Sequence, residues 1–180
     1  DLRCGADFLE NEHLRVQFDQ STGHIVQFVD KRTARDYASA PMAGAVVIDD
    51  SAADTWAHGI FTFDKEMGRF DQAVVELIEE GPVRAGIRVS TRYGTSTLTQ
   101  EFLLAAGSLQ LEVRCRIHLQ HKHAIVKLAF PVRAENPGLL LAMPFGYIEK
   151  PCDGVEQPGQ QWTALYDKDN GAGLALINDS

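Results

Sequence analysis

Asp54, Trp56 and His58 stand two residues apart in the segment SAADTWAHGIFTF, residues 51 to 63, where neither a strand nor a helix pattern needs them. A carboxylate and an imidazole beside an indole can hydrogen-bond the polar edge of a ligand while the ring stacks on an apolar face. The same three residues can also be architectural. Trp56 would then plug the end of the fold, with Asp54 capping a turn and His58 bonded to backbone. Both readings stand at this level.

Other candidates have plainer accounts. His118, His121 and His123 in IHLQHKHAI suggest a zinc site, since His-x-His on a strand sends both rings to one side. The strand alternation breaks before His121, however, which describes a turn between strands. A tetrahedral site also needs converging ligands with outer-shell support. Glu79 and Glu80 precede Gly81-Pro82 and read as a solvated turn rather than a carboxylate pair at catalytic spacing. The row Arg84, Arg88, Arg92 could meet an anion, or lie under another domain of a parent protein. Charge on an open sheet face is more simply neutralised by acids on the neighbouring strand. No GxSxG elbow, Walker glycine loop or HExxH occurs, so nothing nominates a complete catalytic apparatus.

The elements that must position these residues follow a period of two. In PVRAGIRVSTRY, Val83, Ala85, Ile87, Val89, Thr91 and Tyr93 alternate with the arginines. In LQLEVRCRIHLQ, Leu109, Leu111, Val113, Cys115, Ile117 and Leu119 alternate with polar residues. Long strands with one wet face predict antiparallel sheets. Further strands are predicted over 13–18, 24–30, 44–49, 72–79, 97–104, 124–132, 139–145, 161–166 and 172–177. DQSTG, EEGP, YGTS, AAGS, AENPG and DKDNG are the turns between them. No apolar period of 3.6 persists over three turns. The expected class is all-β, an antiparallel β-sandwich with little helix. One domain over 1–180 is expected, with two irregular excursions: 51–63 and EKPCDGVEQPGQQ at 149–161.

Composition narrows the partners. At 180 residues, 44% hydrophobic and 23% charged, the chain has the makeup of a folded globular domain. A net charge of -8 without any basic run argues against nucleic acid, and no apolar stretch is long enough to span a membrane as a helix. Three cysteines without metal spacing, Cys4, Cys115 and Cys152, fit a reducing compartment, hence the cytoplasm. All three read as structural, Cys115 as a buried small hydrophobe. The start at Asp1 and the stop after GLALINDS point to a piece of something longer.

The stretch FLENEHLRVQFDQSTGHIVQFVDKRTARDY resembles the opening of the C-terminal β-domain of glycoside hydrolase family 38 α-mannosidases. There an LEN-x-x-L-x-V-x-F strand leads through a glycine turn to an I-x-x-x-x-D-K-x-T strand. The likeness continues in order through EEGPVRAGIRVSTRYGTSTLTQEFLL, HKHAIVKLAFPV, MPFGYIEKP, GQQWTAL and GAGLALINDS. Two departures stand out. Leu119 occupies the place of a usual tryptophan and His121 that of a common acid, and the chain stops at Ser180 where relatives continue with further strands.

The resemblance implies a galactose-mutarotase-like supersandwich, truncated at its C-terminal end, that follows an α/β catalytic domain and a helical domain of the same polypeptide. It implies a retaining, zinc-dependent enzyme whose aspartate nucleophile and zinc ligands lie upstream. No catalytic or metal residue is therefore carried over, no cofactor is expected in this chain, and the chain alone is expected to be inactive. Segment 51–63 is similar to a loop that reaches towards the sugar pocket in some mannosidases. That makes Asp54, Trp56 and His58 candidate contacts to an α-mannoside, with Tyr147, Glu149 and Trp162 as a second set. A free-standing carbohydrate-binding module and a structural or homo-oligomerisation domain are the alternative expectations.

Overall fold

The structure, a computed structural model, describes residues 1–179. In chain order its strands are β1 Arg3–Gly5, β2 Phe8–Glu10, β3 Leu14–Phe18, β4 Ile25–Asp30, β5 Arg35–Asp36, β6 Gly44–Asp49, β7 Glu66–Arg69 and β8 Asp71–Glu80. They continue as β9 Arg84–Tyr93, β10 Ser96–Ala105, β11 Leu111–His118, β12 Ala124–Ala129, β13 Pro137–Met143, β14 Gly146–Lys150, β15 Trp162–Asp167 and β16 Gly173–Ile177. Every pairing is antiparallel, and the described residues contain no helix. The all-β expectation holds.

The contacts group into two compact units: residues 1–52 with 64–131, and residues 53–63 with 132–180. The first unit holds three sheets, ordered β1-β2-β3-β4-β5, β11-β10-β9-β8 and β12-β6-β7. The apolar alternates of β9 and β10, namely Ala85, Ile87, Val89, Leu98, Phe102 and Leu104, are buried. Phe102 meets Phe18 of β3 with ring centroids 5.0 Å apart. Leu98 packs with Ala45 and Val47 of β6 and with Phe70. Sheets therefore face one another across a shared apolar layer, as period-two strands require. The second unit holds one sheet, ordered β14-β13-β15-β16.

The LEN triplet shows how neighbouring residues in a strand divide labour. Leu9 is fully buried. Glu10, only 4% exposed, receives Arg3 at 2.6 Å, Arg15 at 2.7 Å and Lys31 at 2.7 Å. Asn11, at 0% exposure, donates from Nδ2 to the carbonyls of Ala105 and Ser108 at 2.9 and 2.8 Å. Its Oδ1 accepts from the N–H groups of His13 and Leu14, both at 2.8 Å. One amide thus stitches the turn before β3 to the turn between β10 and β11. In the DQSTG turn, Gly23 adopts φ +72°, and a Cβ there would lie 2.2 Å from Val89 Cγ1, so both backbone and space demand glycine.

Two of the three arginines in the row are neutralised from the adjacent strands. Arg84 pairs with Glu79 of β8 at 2.8 Å and Arg88 with Glu101 of β10 at 2.7 Å. Three expectations need correction. Cys115 is exposed, because β11 is the edge of its sheet and alternation reveals which face a residue takes but not how far from the edge its strand lies. The strand predicted over 139–145 ends at Met143 and turns back through Pro144-Phe145 into β14, so the second excursion begins after Lys150 rather than at Glu149. In that two-residue turn Phe145 holds φ +69°, a left-handed conformation that costs a side-chain-bearing residue about 1 kcal/mol or more. Finally, β1, β2, β5, β7 and β14 were not predicted as separate strands; all have five residues or fewer.

Candidate functional site

Asp54 organises the first excursion. Its Oδ1 accepts the N–H groups of Trp56 at 2.9 Å and His58 at 3.1 Å, and Oδ2 meets His58 Nδ1 at 2.8 Å. The Asp54 carbonyl accepts the Ala57 N–H at 3.1 Å, and Ala57 itself lies at φ +50°. These are the bonds of an Asx turn, which give the backbone partners where no strand ladder exists. Hydrogen bonds from the His58 backbone and ring hold the Asp54 carboxyl below the usual carboxylate range. An ionised Asp54 can only accept, so His58 Nδ1 carries the proton and, in the neutral ring, Nε2 is left as an outward acceptor.

This brace displays apolar surface instead of hiding it. Trp56 is 79% exposed and Phe61 80%. An indole that open does not plug the end of a sandwich, and His58 is bonded to Asp54 through both its N–H and its ring. Bare aromatic rings and an imidazole held by its carboxylate are side chains suited to stacking and hydrogen-bond acceptance. Among the described residues no nucleophilic side chain is hydrogen-bonded to the Asp54–His58 pair. Replacing Trp56 by alanine should change the stability of the chain by less than about 0.5 kcal/mol. A melting curve that fell by more than about 2 °C would instead show the indole to be a packing element.

Tyr147, Glu149 and Trp162 fall on one face of the second unit's sheet. The rings of Tyr147, which is 68% exposed, and Trp162 are 6.3 Å apart at 47°. Glu149 accepts from Lys168 Nζ at 2.8 Å and Tyr166 OH at 3.3 Å. The Lys168 bond, foremost, holds the Glu149 carboxyl low, while burial and then Glu149 raise the Tyr166 phenol. Glu149 is thus committed to its neighbours within the sheet. The two sets of candidates do not form one cluster, but the excursions that carry or adjoin them are tied: the Phe63 N–H donates to Glu156 Oε1 at 2.7 Å. Nothing in the spacing of Glu156 announced that bond.

The histidine triplet is dispersed. His118 Nε2 meets Gln120 Nε2 at 2.6 Å, His121 Nδ1 meets Ser96 Oγ at 2.9 Å and stacks on Tyr93 at 4.6 Å, and His123 takes φ +52°. Among the described residues no three His, Cys, Asp or Glu side chains gather as metal ligands.

Comparison with known proteins agrees with this architecture. Residues 9–180 match the model of the glycosyl hydrolases family 38 C-terminal domain. Alpha-mannosidase 2C1 of Homo sapiens and that of Mus musculus are each 25% identical over 194 aligned residues, covering 97% of this chain and 18% of theirs. The chain thus spans about a fifth of the length of these curated relatives. Two crystal structures from Enterococcus faecalis, one of a family 38 glycosyl hydrolase and one of an alpha-mannosidase, superpose with TM-scores of 0.75 and 0.76. Each is 15% identical, covers 93% of this chain and is itself covered to 24% and 23%, a likeness of fold. With the family match running almost end to end, the chain belongs to the glycosyl hydrolase family 38 C-terminal domains.

Proposed function

We propose that this chain is the non-catalytic β-domain of an α-mannosidase, supporting an upstream catalytic domain of the same polypeptide and lending the Asp54-braced loop to the handling of a terminal α-mannoside. The observation that carries the reading is the loop itself, in which the Asp54 carboxylate holds the Trp56 backbone N–H and both the backbone and ring of His58 while the indole stays 79% exposed. A pyranose offers an apolar face for the indole and hydroxyl donors for His58 Nε2. The zinc-dependent hydrolysis belongs to the upstream residues in this reading. The domain contributes orientation and desolvation of the bound sugar, which lower the barrier only if the loop is held before substrate arrives.

The test compares the full-length polypeptide with this chain on an aryl α-mannoside, with and without a chelator. Chelator-sensitive activity is expected in the full-length protein and none in the chain alone; activity in the chain alone would overturn the reading. In the full-length protein Trp56→Ala should lower kcat/KM about 10-fold or more with the melting temperature unchanged, the loss of one stacked aromatic contact. Loss of activity and of fold in equal measure would return Trp56 to a packing role.

A further inference from the structure

The second unit carries a groove that none of the preceding assignments uses. An open depression of about 520 Å³ is bounded by Met143, Phe145, Gly159, Gln160, Gln161 and Asn178. A second depression of about 330 Å³ shares Gly159, Gln160 and Asn178 and continues along β13 past Leu141 and Val155. The volumes are in the range of small-ligand clefts.

Three features of the wall restrict what fits. First, Phe145 is fully exposed at the rim and held at φ +69°, although Gly146 stands next to it and glycine is the residue such a turn prefers. A bare aromatic ring kept in an unfavourable conformation marks a position selected for something other than folding. Second, the backbones of the amide residues are pinned: the Gln160 N–H donates to the Ala142 carbonyl at 3.3 Å and the Asn178 N–H to that of Gln161 at 2.7 Å. The side-chain amides of Gln160, Gln161 and Asn178 have no bonding partner among the described residues, so each offers both donors and an acceptor. Third, among the described residues no ionisable side chain lines either depression, in a chain with 17 lysines and arginines and 25 acids.

We infer that this groove is a binding site for a neutral oligosaccharide, with Phe145 stacking on one sugar ring and the Gln160, Gln161 and Asn178 amides reading hydroxyls of that ring and the next. Hydroxyls donate and accept, as amides do, and the C–H face of a pyranose matches an aromatic ring. An anionic ligand would find no cation to meet it. The continuation past Leu141 fits a chain of sugars better than a single one. None of these residues belongs to the Asp54 loop, so the groove goes beyond the role proposed above and stands or falls separately.

Calorimetric titration of the chain with a linear α-mannotriose, and with maltotriose as a second neutral probe, tests it. Binding of at least one is expected below about 1 mM. Phe145→Gly should weaken it at least 10-fold while leaving the melting temperature unchanged or higher, because glycine suits the turn. Asn178→Ala should weaken it about 3- to 10-fold, and Trp56→Ala should change it by less than about 3-fold. No binding of either trisaccharide at 10 mM, or undiminished binding by Phe145→Gly, would overturn the groove. Binding lost in Trp56→Ala and retained in Phe145→Gly would also overturn it, while leaving the loop proposal intact.

Discussion

Asn11→Leu should destabilise the chain by about 4 kcal/mol, measured as a shift of the urea midpoint followed by far-UV circular dichroism. Leucine matches asparagine in branching but is bulkier, so some overpacking adds to the loss of hydrogen bonds. Two carbonyls, of Ala105 and Ser108, and two N–H groups, of His13 and Leu14, lose their partner together. Each buried group left unpaired costs on the order of 1 to 3 kcal/mol, and partial relaxation towards water brings the sum below the simple total. Asn11→Asp retains the acceptor but sets a buried carboxylate oxygen against the two carbonyls, and should be at least as destabilising at neutral pH. A loss below about 1 kcal/mol for leucine would mean that the two turns are held by other contacts and that the amide is dispensable.

The second large effect is on pH. Burial by itself would raise the Glu10 carboxyl, but hydrogen bonds from Lys31, Arg3 and Arg15 outweigh it and hold the group at about 2, against an ordinary 4.5. A depressed carboxyl stabilises the fold fully above its unfolded value and loses that contribution as pH falls towards the folded one. Stability should therefore decline between pH 4.5 and 2, by about 2 kcal/mol from this residue after allowance for the exposure of Arg3. Glu10→Gln should be less stable at pH 7 and show a shallower acid slope over that interval. Parallel acid profiles for the two proteins would exclude Glu10 as the source.

Much of this fold is legible in the sequence, for a definite reason. Strands β8 to β11 span eight or ten residues each, long enough for the apolar alternation to outweigh exceptions such as Leu103, which is buried although it alternates with the core face. A strand of three residues such as β1 or β2 has no periodicity to read, and β14, with Gly146, Glu149 and Lys150 among its five residues, shows the composition of a loop. The LEN triplet is recognisable as a pattern, yet its meaning depends on partners such as Lys31 and Ala105 that are remote along the chain. The candidate loop is similar: the spacing of Asp54, Trp56 and His58 places them together, and the i, i+4 bond from Asp54 to His58 follows from a turn geometry that no local preference dictates. Phe145 is harder still, since its positive φ contradicts its residue type and only coordinates reveal it.

The bond between the Phe63 N–H and Glu156 has a consequence for how these excursions respond to ligands. Loops without strand ladders lose conformational entropy when a bound molecule orders them. Here two such loops share a constraint at their shoulders, so fixing one removes part of the freedom of the other. A sugar held by Trp56 would thus lower the ordering cost for a second ligand near Val155 and Gln160, and the reverse must hold to the same extent. Glu156→Gln would weaken the acceptor, and Glu156→Ala would release the two loops to titrate as strangers.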